Sequence, residues 1–487
     1  MCGFAGIISN DSRRDNAVKV MAESMSHRGP DDSGYYFDND ISIGFRRLAI
    51  IDLSEKGAQP MKIGKYIIVF NGEIYNFKEI REKLNNNNIK LKSNSDTEVL
   101  LMAYTYWGVK IFNEIIGMFA FAIWDCEYKK LLISRDHFGK KPLYYYLDEN
   151  QFIFSSEINA IKKTLSKNPE ISEESIFTYL SKGYYDRTKT IYSKILTLDS
   201  GEYAFYYQNS NNLTKQKYWV PRFNLGQSDI GVGSINESIN TAIKRRFNSD
   251  VPVGICLSGG VDSSIIALKS KDLIKEDVTT YTVKFDDIKY DESKFVKQLT
   301  DKYDIDNINI KHENTNLEFI LTKLVNAYGE PFGDDSAIPA YTLYENLKEY
   351  GKVFLTGDGA DELFGGYKDS KLFLLQDRLN TLNGITNIIP NFIHNKLIYA
   401  KNNKLRALGH AIIMLNKQYD SYNALRSGGW NEFTYRYYNS DSAKYSCYFE
   451  NIEEKEKVNF LKLGSNNIER YLNKSLERLI QQFLVKT

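Results

Sequence analysis

The pattern of hydrophobic and polar positions divides this chain into two parts with different periodicities. Through residues 1–205, short runs that alternate apolar and polar side chains, such as 119–124 and 152–155, predict half-buried strands of antiparallel sheets. From there on, apolar runs such as 251–257 alternate with helical patterns such as 317–328, which favours a parallel sheet covered by helices. The pattern therefore predicts two units of different fold class in one chain.

A glycine-rich loop follows the apolar run 251–257, with the sequence Ser258-Gly259-Gly260-Val261-Asp262-Ser263-Ser264. Glycines let backbone N–H groups approach a ligand closely, a helix N-terminus attracts anions, and serine hydroxyls add donors. The loop therefore predicts a phosphate site, although not of the Walker type, because no Gly-Lys-Ser/Thr follows the glycines. A tight strand-to-helix turn without a ligand is the alternative that such small residues leave open.

A second glycine-rich loop follows the apolar run 352–355, with the sequence Thr356-Gly357-Asp358-Gly359-Ala360-Asp361-Glu362. Because ligands bind beyond the carboxyl ends of parallel strands, both loops can face one crevice. The three acidic residues of this loop are typical of a site that binds Mg²⁺ and positions a base. A solvated acidic turn is the alternative.

Composition and charge narrow the class of protein. The 487 residues carry a formal net charge of +1, which excludes the strongly basic surface of a nucleic-acid-binding protein. No apolar stretch approaches the ~20 residues that span a bilayer, and the first residues lack the basic leader of a signal peptide. The four cysteines, at positions 2, 126, 256 and 447, lie far apart along the chain without a Cys-x-x-Cys pair, which argues against a zinc site or a disulfide framework. We therefore expect a cytoplasmic protein without a membrane or nucleic-acid partner.

The first part of the chain contains a candidate nucleophile at its start. Cys2 is either an ordinary buried small residue or, once Met1 is removed, a thiol beside its own free amine, which can act as its base. After the strand at 67–70, Asn71-Gly72 is typical of a tight hairpin turn. The segment Ser95-Asp96-Thr97-Glu98 indicates the N-cap of a helix.

In order and spacing these residues resemble the glutaminase domain of class II amidotransferases, most closely that of the glutamine-dependent asparagine synthetase family. The matching segments cover nearly all of residues 1–205, and they are 2–8, 27–31, 44–52, 71–76, 95–98 and 135–145. The resemblance implies an α+β N-terminal-nucleophile fold, a four-layer sandwich in which two antiparallel sheets lie between helices. It also implies that glutamine is the nitrogen donor.

The resemblance assigns a role to each candidate residue of this first site. Cys2 attacks the glutamine side-chain amide, while the Asn71 side chain and the Gly72 N–H form the oxyanion hole for the tetrahedral intermediate. Arg47 contacts the substrate α-carboxylate in a two-pronged contact, and Glu73 with Asp96 holds the α-ammonium group. The implied glutamine-binding set is Arg47, Ile51, Asn71, Gly72, Glu73 and Asp96.

The second unit resembles the synthetase domain of the same family, on its two glycine-rich loops and on the segment 330–339. The resemblance implies an α/β parallel-sheet domain like that of ATP pyrophosphatases, which adenylates a carboxylate. Asp262 and Asp361 share Mg²⁺, and Asp358 stands at the position of a catalytic acid that serves the ammonia step. The implied ATP-binding set is Cys256, Ser258, Gly259, Gly260, Asp262, Ser263, Val283, Thr356 and Gly357.

These patterns predict the domain organisation. Residues 1–205 are expected to form the glutaminase domain, 206–233 a linker rich in polar residues, and 234–487 the asparagine synthetase-like ATP-binding domain. Beyond about residue 380 the resemblance weakens, and the chain ends in a helical stripe of apolar residues from Ile468 to Leu484. We therefore expect a helical C-terminus that is truncated or diverged from the family.

The expected activity is that of a glutamine-dependent amidotransferase and carbon–nitrogen ligase. ATP, L-aspartate, L-glutamine and water give AMP, diphosphate, L-asparagine and L-glutamate, through ammonia transfer and a β-aspartyl-AMP intermediate. Three alternatives stay open: amidation of another carboxylate, a glutaminase uncoupled from an incomplete synthetase domain, and a non-catalytic remnant that binds nucleotide. A homodimer is a further expectation.

Overall fold

The computed structural model of this protein describes residues 1–221, 231–275, 277–284, 292–311, 316–334 and 336–367. The predicted C-terminal helical stripe from Ile468 to Leu484 lies outside the described residues. Within the ranges given, no helix combines the length and the apolar character that crossing a membrane requires.

The first unit consists of two antiparallel sheets with helices on their outer faces. Its strands are β1 (Gly3–Ser9), β2 (Asp32–Phe37), β3 (Ile41–Arg47), β4 (Met61–Ile63), β5 (Tyr66–Ile74), β6 (Gly117–Asp125), β7 (Lys130–Arg135), β8 (Tyr144–Leu147), β9 (Gln151–Ser155), β10 (Ile195–Thr197), β11 (Glu202–Tyr207) and β12 (Asn212–Lys217). Its helices are α1 (Arg14–Ser24), α2 (Phe77–Asn86), α3 (Asp96–Trp107), α4 (Ile158–Lys162) and α5 (Glu173–Lys182). The strand order is β10-β8-β9-β1-β3-β2 in sheet 1 and β12-β11-β7-β6-β5-β4 in sheet 2.

The main hydrophobic core of this unit lies between the two sheets. Phe4 and Phe45 of sheet 1 and Trp124 of sheet 2 are completely buried there. α1 and α4 pack on the outer face of sheet 1, and α2 and α3 pack on the outer face of sheet 2. Each sheet is thus apolar on both faces and needs a layer on each side. The predicted four-layer sandwich of two antiparallel sheets between helices is confirmed.

The predicted hairpin turn at Asn71-Gly72 is wrong, because both residues lie inside β5, which continues to Ile74. Both pair with the neighbouring strand β6. A Cβ at Gly72 would come within 2.1 Å of the Met118 carbonyl oxygen. The glycine therefore permits close approach of the neighbouring strand, which is the other common use of glycine within a strand.

The polar stretch that the sequence assigns to the linker is partly sheet. β11 continues to Tyr207, and a short turn at Gln208–Ser210 leads into β12, which pairs antiparallel with β11. Asn211 adopts a left-handed backbone conformation with φ of +48° in this turn. Asparagine tolerates that conformation better than most residues, which explains the polar composition without a linker. The connection between the units therefore comes after β12.

The second unit is a parallel sheet with helices. Its strands are β13 (Val253–Cys256), β14 (Thr280–Lys284), β15 (Asn307–Lys311) and β16 (Val353–Leu355). Its helices are α6 (Val232–Arg246), α7 (Val261–Leu273), α8 (Ser293–Tyr303), α9 (Leu317–Tyr328), α10 (Ala337–Leu347) and α11 (Ala360–Phe364). The strand order is β15-β14-β13-β16, and each adjacent pair is parallel. The predicted α/β parallel sheet is confirmed, and both glycine-rich loops follow its strands.

Several groups of hydrogen bonds join the described residues of the two units, including contacts of residues 245 and 248 with α2 and the two groups that follow. In the first, Asp250 before β13 and Lys352 before β16 contact the first unit around the loop that follows β3. In the second, the Asn159 side-chain amide donates to the Asn326 carbonyl oxygen at 2.6 Å. Nearby, Glu330 accepts a backbone N–H of the first unit at 2.9 Å.

Candidate active site

Cys2 lies directly before β1, with its thiol against the loop that follows β3. The Leu48 N–H donates to Cys2 Sγ at 3.4 Å, and the thiol donates to the Leu48 carbonyl oxygen at 3.6 Å. Burial raises the pKa of the Cys2 thiol, Glu73 raises it further, and Lys141 lowers it. Because the thiolate is the reactive form of cysteine, a nucleophile at this position needs a base.

Arg47 ends β3, and its guanidinium is fixed by residues 48–54, which we call the β3 loop. Arg47 Nη1 donates to the Ser54 carbonyl oxygen at 3.0 Å, and Nη2 donates to the carbonyl oxygen of Asp52. The Arg47 side chain is buried. A guanidinium has five N–H donors in a planar fork, so one held by two carbonyl groups retains donors for a carboxylate.

Glu73 on β5 and Asp96 at the start of α3 form a pair of interacting carboxyl groups. Burial raises the pKa of Asp96 to about 6. Burial also raises the pKa of Glu73 well above its usual value, and Asp96 adds to that rise. The Ile74 N–H donates to Asp96 Oδ2 at 3.0 Å, and Ser95 caps α3 by accepting the Glu98 N–H at 3.1 Å, as predicted. Two carboxyl groups in this situation favour a bound cation such as an ammonium group.

Asn71 lies two residues before Glu73 on β5, so both side chains extend from the same face of the strand. Asn71 is 1% exposed, and its Nδ2 has no hydrogen-bond partner among the described residues. A buried donor without an acceptor is costly, so this N–H is available to an oxygen atom of a ligand. Gly72 is the next residue after Asn71 on β5. Ile51 packs its side chain on the core beneath α2 and α3, which leaves its backbone for a substrate contact.

Three charged residues beside this site were not singled out from the sequence. Arg28 Nε donates to the Cys2 carbonyl oxygen at 3.0 Å, and Lys141 Nζ donates to Met1 Sδ at 3.0 Å. Burial lowers the pKa of Lys141 to about 8. Asp136 accepts four backbone N–H groups and so shapes the turn that carries Lys141. An acidic residue just before a glycine-containing turn was the available signal.

The first glycine-rich loop connects β13 to α7. Ser258 Oγ lies 3.0 Å from Ser263 Oγ and accepts the Gly260 N–H at 3.3 Å. Gly259 has φ of +82°, a left-handed conformation that favours glycine. α7 begins at Val261, so the unpaired N–H groups of its first turn adjoin the loop. Hydroxyl groups and a helix N-terminus at one place suit the binding of phosphate.

The second glycine-rich loop, after β16, lies against the first. A Cβ at Gly357 would be 3.1 Å from both Asp262 Cβ and Ser263 N, so a side chain there would push the two loops apart. Burial raises the pKa of Asp262, and Asp361 raises it further, so the two carboxyl groups are close enough to repel each other. Mg²⁺ is commonly held by one or two carboxylates together with phosphate oxygens. This pair of aspartates therefore fits Mg²⁺.

The other residues of the predicted ATP set lie at the same edge of the sheet. Cys256 ends β13 opposite Tyr281 of β14, so Val283 lies two residues further towards the carboxyl end. Burial raises the pKa of the Cys256 thiol to about 12, and Asp358 adds to this rise. Thr356 Oγ1 accepts the Asp358 N–H at 3.4 Å. The structure thus brings all of these residues to the carboxyl ends of the parallel strands.

A cavity of about 320 Å³ lies between the two units. Its walls include Met1 and Arg28, which adjoin Cys2, and Tyr344 of α10. Burial raises the pKa of Tyr344, and Asp358 raises it further, so this tyrosine also adjoins the second glycine-rich loop. The cavity therefore borders the surroundings of both candidate sites.

Two family models match this chain. The model described as the glutamine amidotransferase domain matches residues 1–219. The model described as asparagine synthase matches residues 234–485, which is more than half of the chain.

Similar proteins match across both parts. A protein of Methanocaldococcus jannaschii, with the provisional name of glutamine-hydrolyzing asparagine synthetase 2, is 36% identical over 75% of this chain and 76% of its own length. The glutamine-hydrolyzing asparagine synthetases 1 and 2 of Bacillus subtilis are 34% and 32% identical over 75% of this chain. The chain spans 59% and 52% of the lengths of these two Bacillus proteins.

Proposed function

Because this chain belongs to the glutamine-hydrolysing asparagine synthetase family, we propose that it converts L-aspartate into L-asparagine, with glutamine as the nitrogen donor and ATP as the activating substrate. One observation carries the proposal: the cavity between the units borders Arg28, which donates to the Cys2 carbonyl oxygen, and Tyr344 beside the second ATP loop. Ammonia released at the first site would have a short path through this space towards the second site. The two sites then work as one enzyme.

At the first site Cys2 is the proposed nucleophile. After Met1 is removed, the free α-amine of Cys2, whose ordinary pKa is about 8, takes the thiol proton, and the thiolate attacks the glutamine side-chain carbonyl carbon. The oxyanion that forms accepts hydrogen bonds from the Asn71 side chain and the Gly72 N–H. The intermediate collapses to ammonia and a γ-glutamyl thioester, which water then hydrolyses to glutamate.

The other residues of this site hold the substrate. Arg47, fixed by the β3 loop, is the proposed partner of the α-carboxylate. Glu73 and Asp96 are the proposed partners of the α-ammonium group, whose charge would relieve the repulsion between them. The backbone of Ile51 completes the set. These contacts select an amino acid with a free α-amine and a free α-carboxylate.

At the second site the two glycine-rich loops are the proposed ATP site. Ser258, Gly259, Gly260 and Ser263 hold the pyrophosphate, while Cys256, Val283, Thr356 and Gly357 contact the adenosine. The aspartate β-carboxylate attacks the α-phosphorus, diphosphate leaves, and ammonia then displaces AMP from the β-aspartyl-AMP. Asp358 is the proposed acceptor of the proton that the attacking ammonia gives up.

We also propose Mg²⁺ as a cofactor, with Asp262 and Asp361 as its protein ligands. When bound, this ion neutralises phosphate charge during adenylation. A cytoplasmic location is proposed from the cysteines, of which Cys2, Cys126 and Cys256 are free in the described part of the chain. The homodimer stays a prediction from the sequence.

The test is a product balance with the purified full chain, glutamine carrying ¹⁵N in its amide, aspartate and Mg-ATP, with and without excess unlabelled ammonium. Without ammonium, glutamate, AMP and asparagine should form in equal amounts, and with excess unlabelled ammonium the asparagine should carry more ¹⁵N than the free ammonia in solution. Glutamate without AMP would indicate an uncoupled glutaminase. Asparagine without the label would contradict transfer through the cavity, and AMP with a different amide would identify another carboxylate as the acceptor.

A further inference from the structure

The ATP-binding unit contributes a residue to the β3 loop of the glutaminase unit. The Asp52 N–H donates to Asp250 Oδ2 at 2.7 Å, and the Asp250 N–H donates to the Ile50 carbonyl oxygen at 3.0 Å. Asp250 thus makes one hydrogen bond as acceptor and one as donor to backbone groups two residues apart. We propose that Asp250 is a positioning residue of the glutamine site, which holds the β3 loop in the conformation that presents Arg47 to the substrate.

The conformation of Asp52 is what makes this contact important. Asp52 has φ of +51°, a left-handed conformation that a non-glycine residue keeps only when its surroundings stabilise it. Its carbonyl oxygen accepts Arg47 Nη2, and its side chain accepts the Asn94 N–H at 2.8 Å, two residues before Asp96. Its N–H goes to Asp250. A rotation of Asp52 would therefore displace Arg47 and the segment before Asp96 together.

A second contact supports the same loop from the same side. Lys352 Nζ lies 2.6 Å from Asp31 Oδ2, which also accepts the Ala49 N–H at 2.7 Å. Asp250 precedes β13 and Lys352 precedes β16, and these two strands are neighbours in the parallel sheet. At their carboxyl ends the same strands carry the ATP loops. The β3 loop is therefore attached to the amino ends of the two strands that form the nucleotide site.

Asp250 acts on the glutamine site by a hydrogen bond and by its charge. It is one of the groups that raise the pKa of Glu73, after burial and Asp96. Because Asp250 is exposed to solvent, its charge is screened, and we assign its main effect to the hydrogen bond with Asp52. Asp250→Asn retains an acceptor oxygen and removes the charge, whereas Asp250→Ala removes both. The two variants therefore separate the two effects.

The inference rests on the proposed function, because it takes Arg47 as the partner of the glutamine α-carboxylate. The test compares the full-length wild type with D250A, D250N and a control, N159A, which removes a different hydrogen bond between the units. We expect D250A to raise KM for glutamine about five- to tenfold with kcat within about twofold, as for loss of one typical hydrogen bond. D250N should stay within about twofold of the wild type, and N159A should not change KM.

Hydrogen–deuterium exchange of residues 48–54 in the unliganded protein gives a second readout that does not depend on catalysis. The Asp52 amide should exchange faster in D250A than in the wild type, and at the wild-type rate in N159A. An unchanged KM and an unchanged exchange rate in D250A, or equal effects of D250A and N159A, would overturn the inference. A wild type without glutaminase activity would instead contradict the proposed function, while the exchange experiment would still test the role of Asp250.

If D250A fails to fold, D250N should still fold because it retains the acceptor oxygen. An Asp52 amide that exchanges faster in D250N than in the wild type would then count against the inference.

Discussion

Gly57 lies so close to Arg47 that a Cβ on this glycine would come within 2.3 Å of Arg47 Nη2. The same Cβ would be 2.7 Å from the Asp52 carbonyl oxygen, which accepts the hydrogen bond from that nitrogen. Contacts this short do not occur at real Cβ atoms, and a backbone carbonyl cannot move as a flexible side chain can. The guanidinium therefore has its space only because residue 57 has no side chain.

Gly57→Ala should accordingly displace Arg47 and weaken glutamine binding. We expect KM for glutamine to rise by about tenfold or more, with a smaller change in kcat, because the α-carboxylate contact is made in both ground and transition states. The measurement is glutamate formation over a range of glutamine concentrations. Gly233→Ala is the matched control, since nothing lies within 4 Å of its added Cβ. An unchanged KM in Gly57→Ala would contradict the role of Arg47.

Cys2→Ala should abolish glutamate formation and leave ammonia-dependent asparagine formation in place. The Cys2 thiolate is the group that attacks glutamine in the proposed first reaction, and the second reaction can take its ammonia directly from solution. Both rates can be followed in one protein preparation by supplying either glutamine or ammonium. Cys126→Ala, at a free half-buried cysteine of the same unit, is the control that should keep both rates. Residual glutaminase activity in Cys2→Ala would rule out Cys2 as the nucleophile.

Asn71→Ala should lower the kcat of the glutaminase reaction by about 10²–10³, the usual effect of losing one oxyanion-hole donor. Its KM for glutamine should change little, because the donor acts on the charge that develops in the transition state. The melting temperature should stay close to that of the wild type, since Asn71 Nδ2 has no partner to lose among the described residues. A variant with a higher KM and an unchanged kcat would place Asn71 in substrate binding instead.

Asp96→Asn should stabilise the unliganded protein above pH 6. Burial raises the pKa of Asp96 from 3.8 to about 6, so the stability that the protonated form contributes is present below about pH 4 and is lost as the pH rises through about 6. An asparagine carries no such cost, and the gain is roughly 1.4 kcal/mol for each pH unit that separates the two pKa values.

Urea unfolding at pH 4, 5.5 and 8 without glutamine would measure this difference for Asp96→Asn. The two proteins should have similar stability at pH 4 and diverge towards pH 8, while the variant binds glutamine more weakly. A variant that is less stable than the wild type at pH 8 would mean that the carboxylate is favourably paired in the unliganded protein.

Asp361→Asn should raise the Mg²⁺ concentration that gives half-maximal asparagine formation by about tenfold, because one of two carboxylate ligands is lost. Glutamate formation from glutamine without ATP should be unaffected, since this reaction takes place in the other unit. The measurement is a Mg²⁺ titration of AMP formation at fixed ATP. The same Mg²⁺ dependence in variant and wild type would assign the metal to other residues.

Local sequence patterns predicted the elements and the meeting of the two glycine-rich loops. Gly357 packs against Asp262 because neighbouring parallel strands carry their loops at one edge of the sheet, which is a general rule. The prediction of a hairpin turn at Asn71-Gly72 was wrong because this dipeptide suits both a hairpin turn and a close contact between strands. Only the approach of Met118 on β6 decides between these uses, and that neighbour lies 46 positions away along the chain.

The contacts between the units could not be predicted in this way. Asp52 and Asp250 are 198 residues apart, and neither stands in a pattern that indicates the other. The same holds for Lys141, whose burial beside Cys2 depends on the turn that Asp136 holds together. The contact between Asp52 and Asp250 follows from how the two units dock, and the burial of Lys141 follows from how the first unit folds; a single sequence carries no periodic signal for either.

The position of Asp250 also limits how relatives of this protein can be recombined. The two family matches end at 219 and begin at 234, so a hybrid would ordinarily be joined between these positions. Such a junction takes Asp52 and Asp31 from one parent protein and their partners at positions 250 and 352 from another. The hydrogen bond from Asp52 to Asp250 and the ion pair of Asp31 with Lys352 are then no longer ensured. A hybrid enzyme that keeps its affinity for the nitrogen donor therefore has to inherit the β3 loop together with residues 250 and 352.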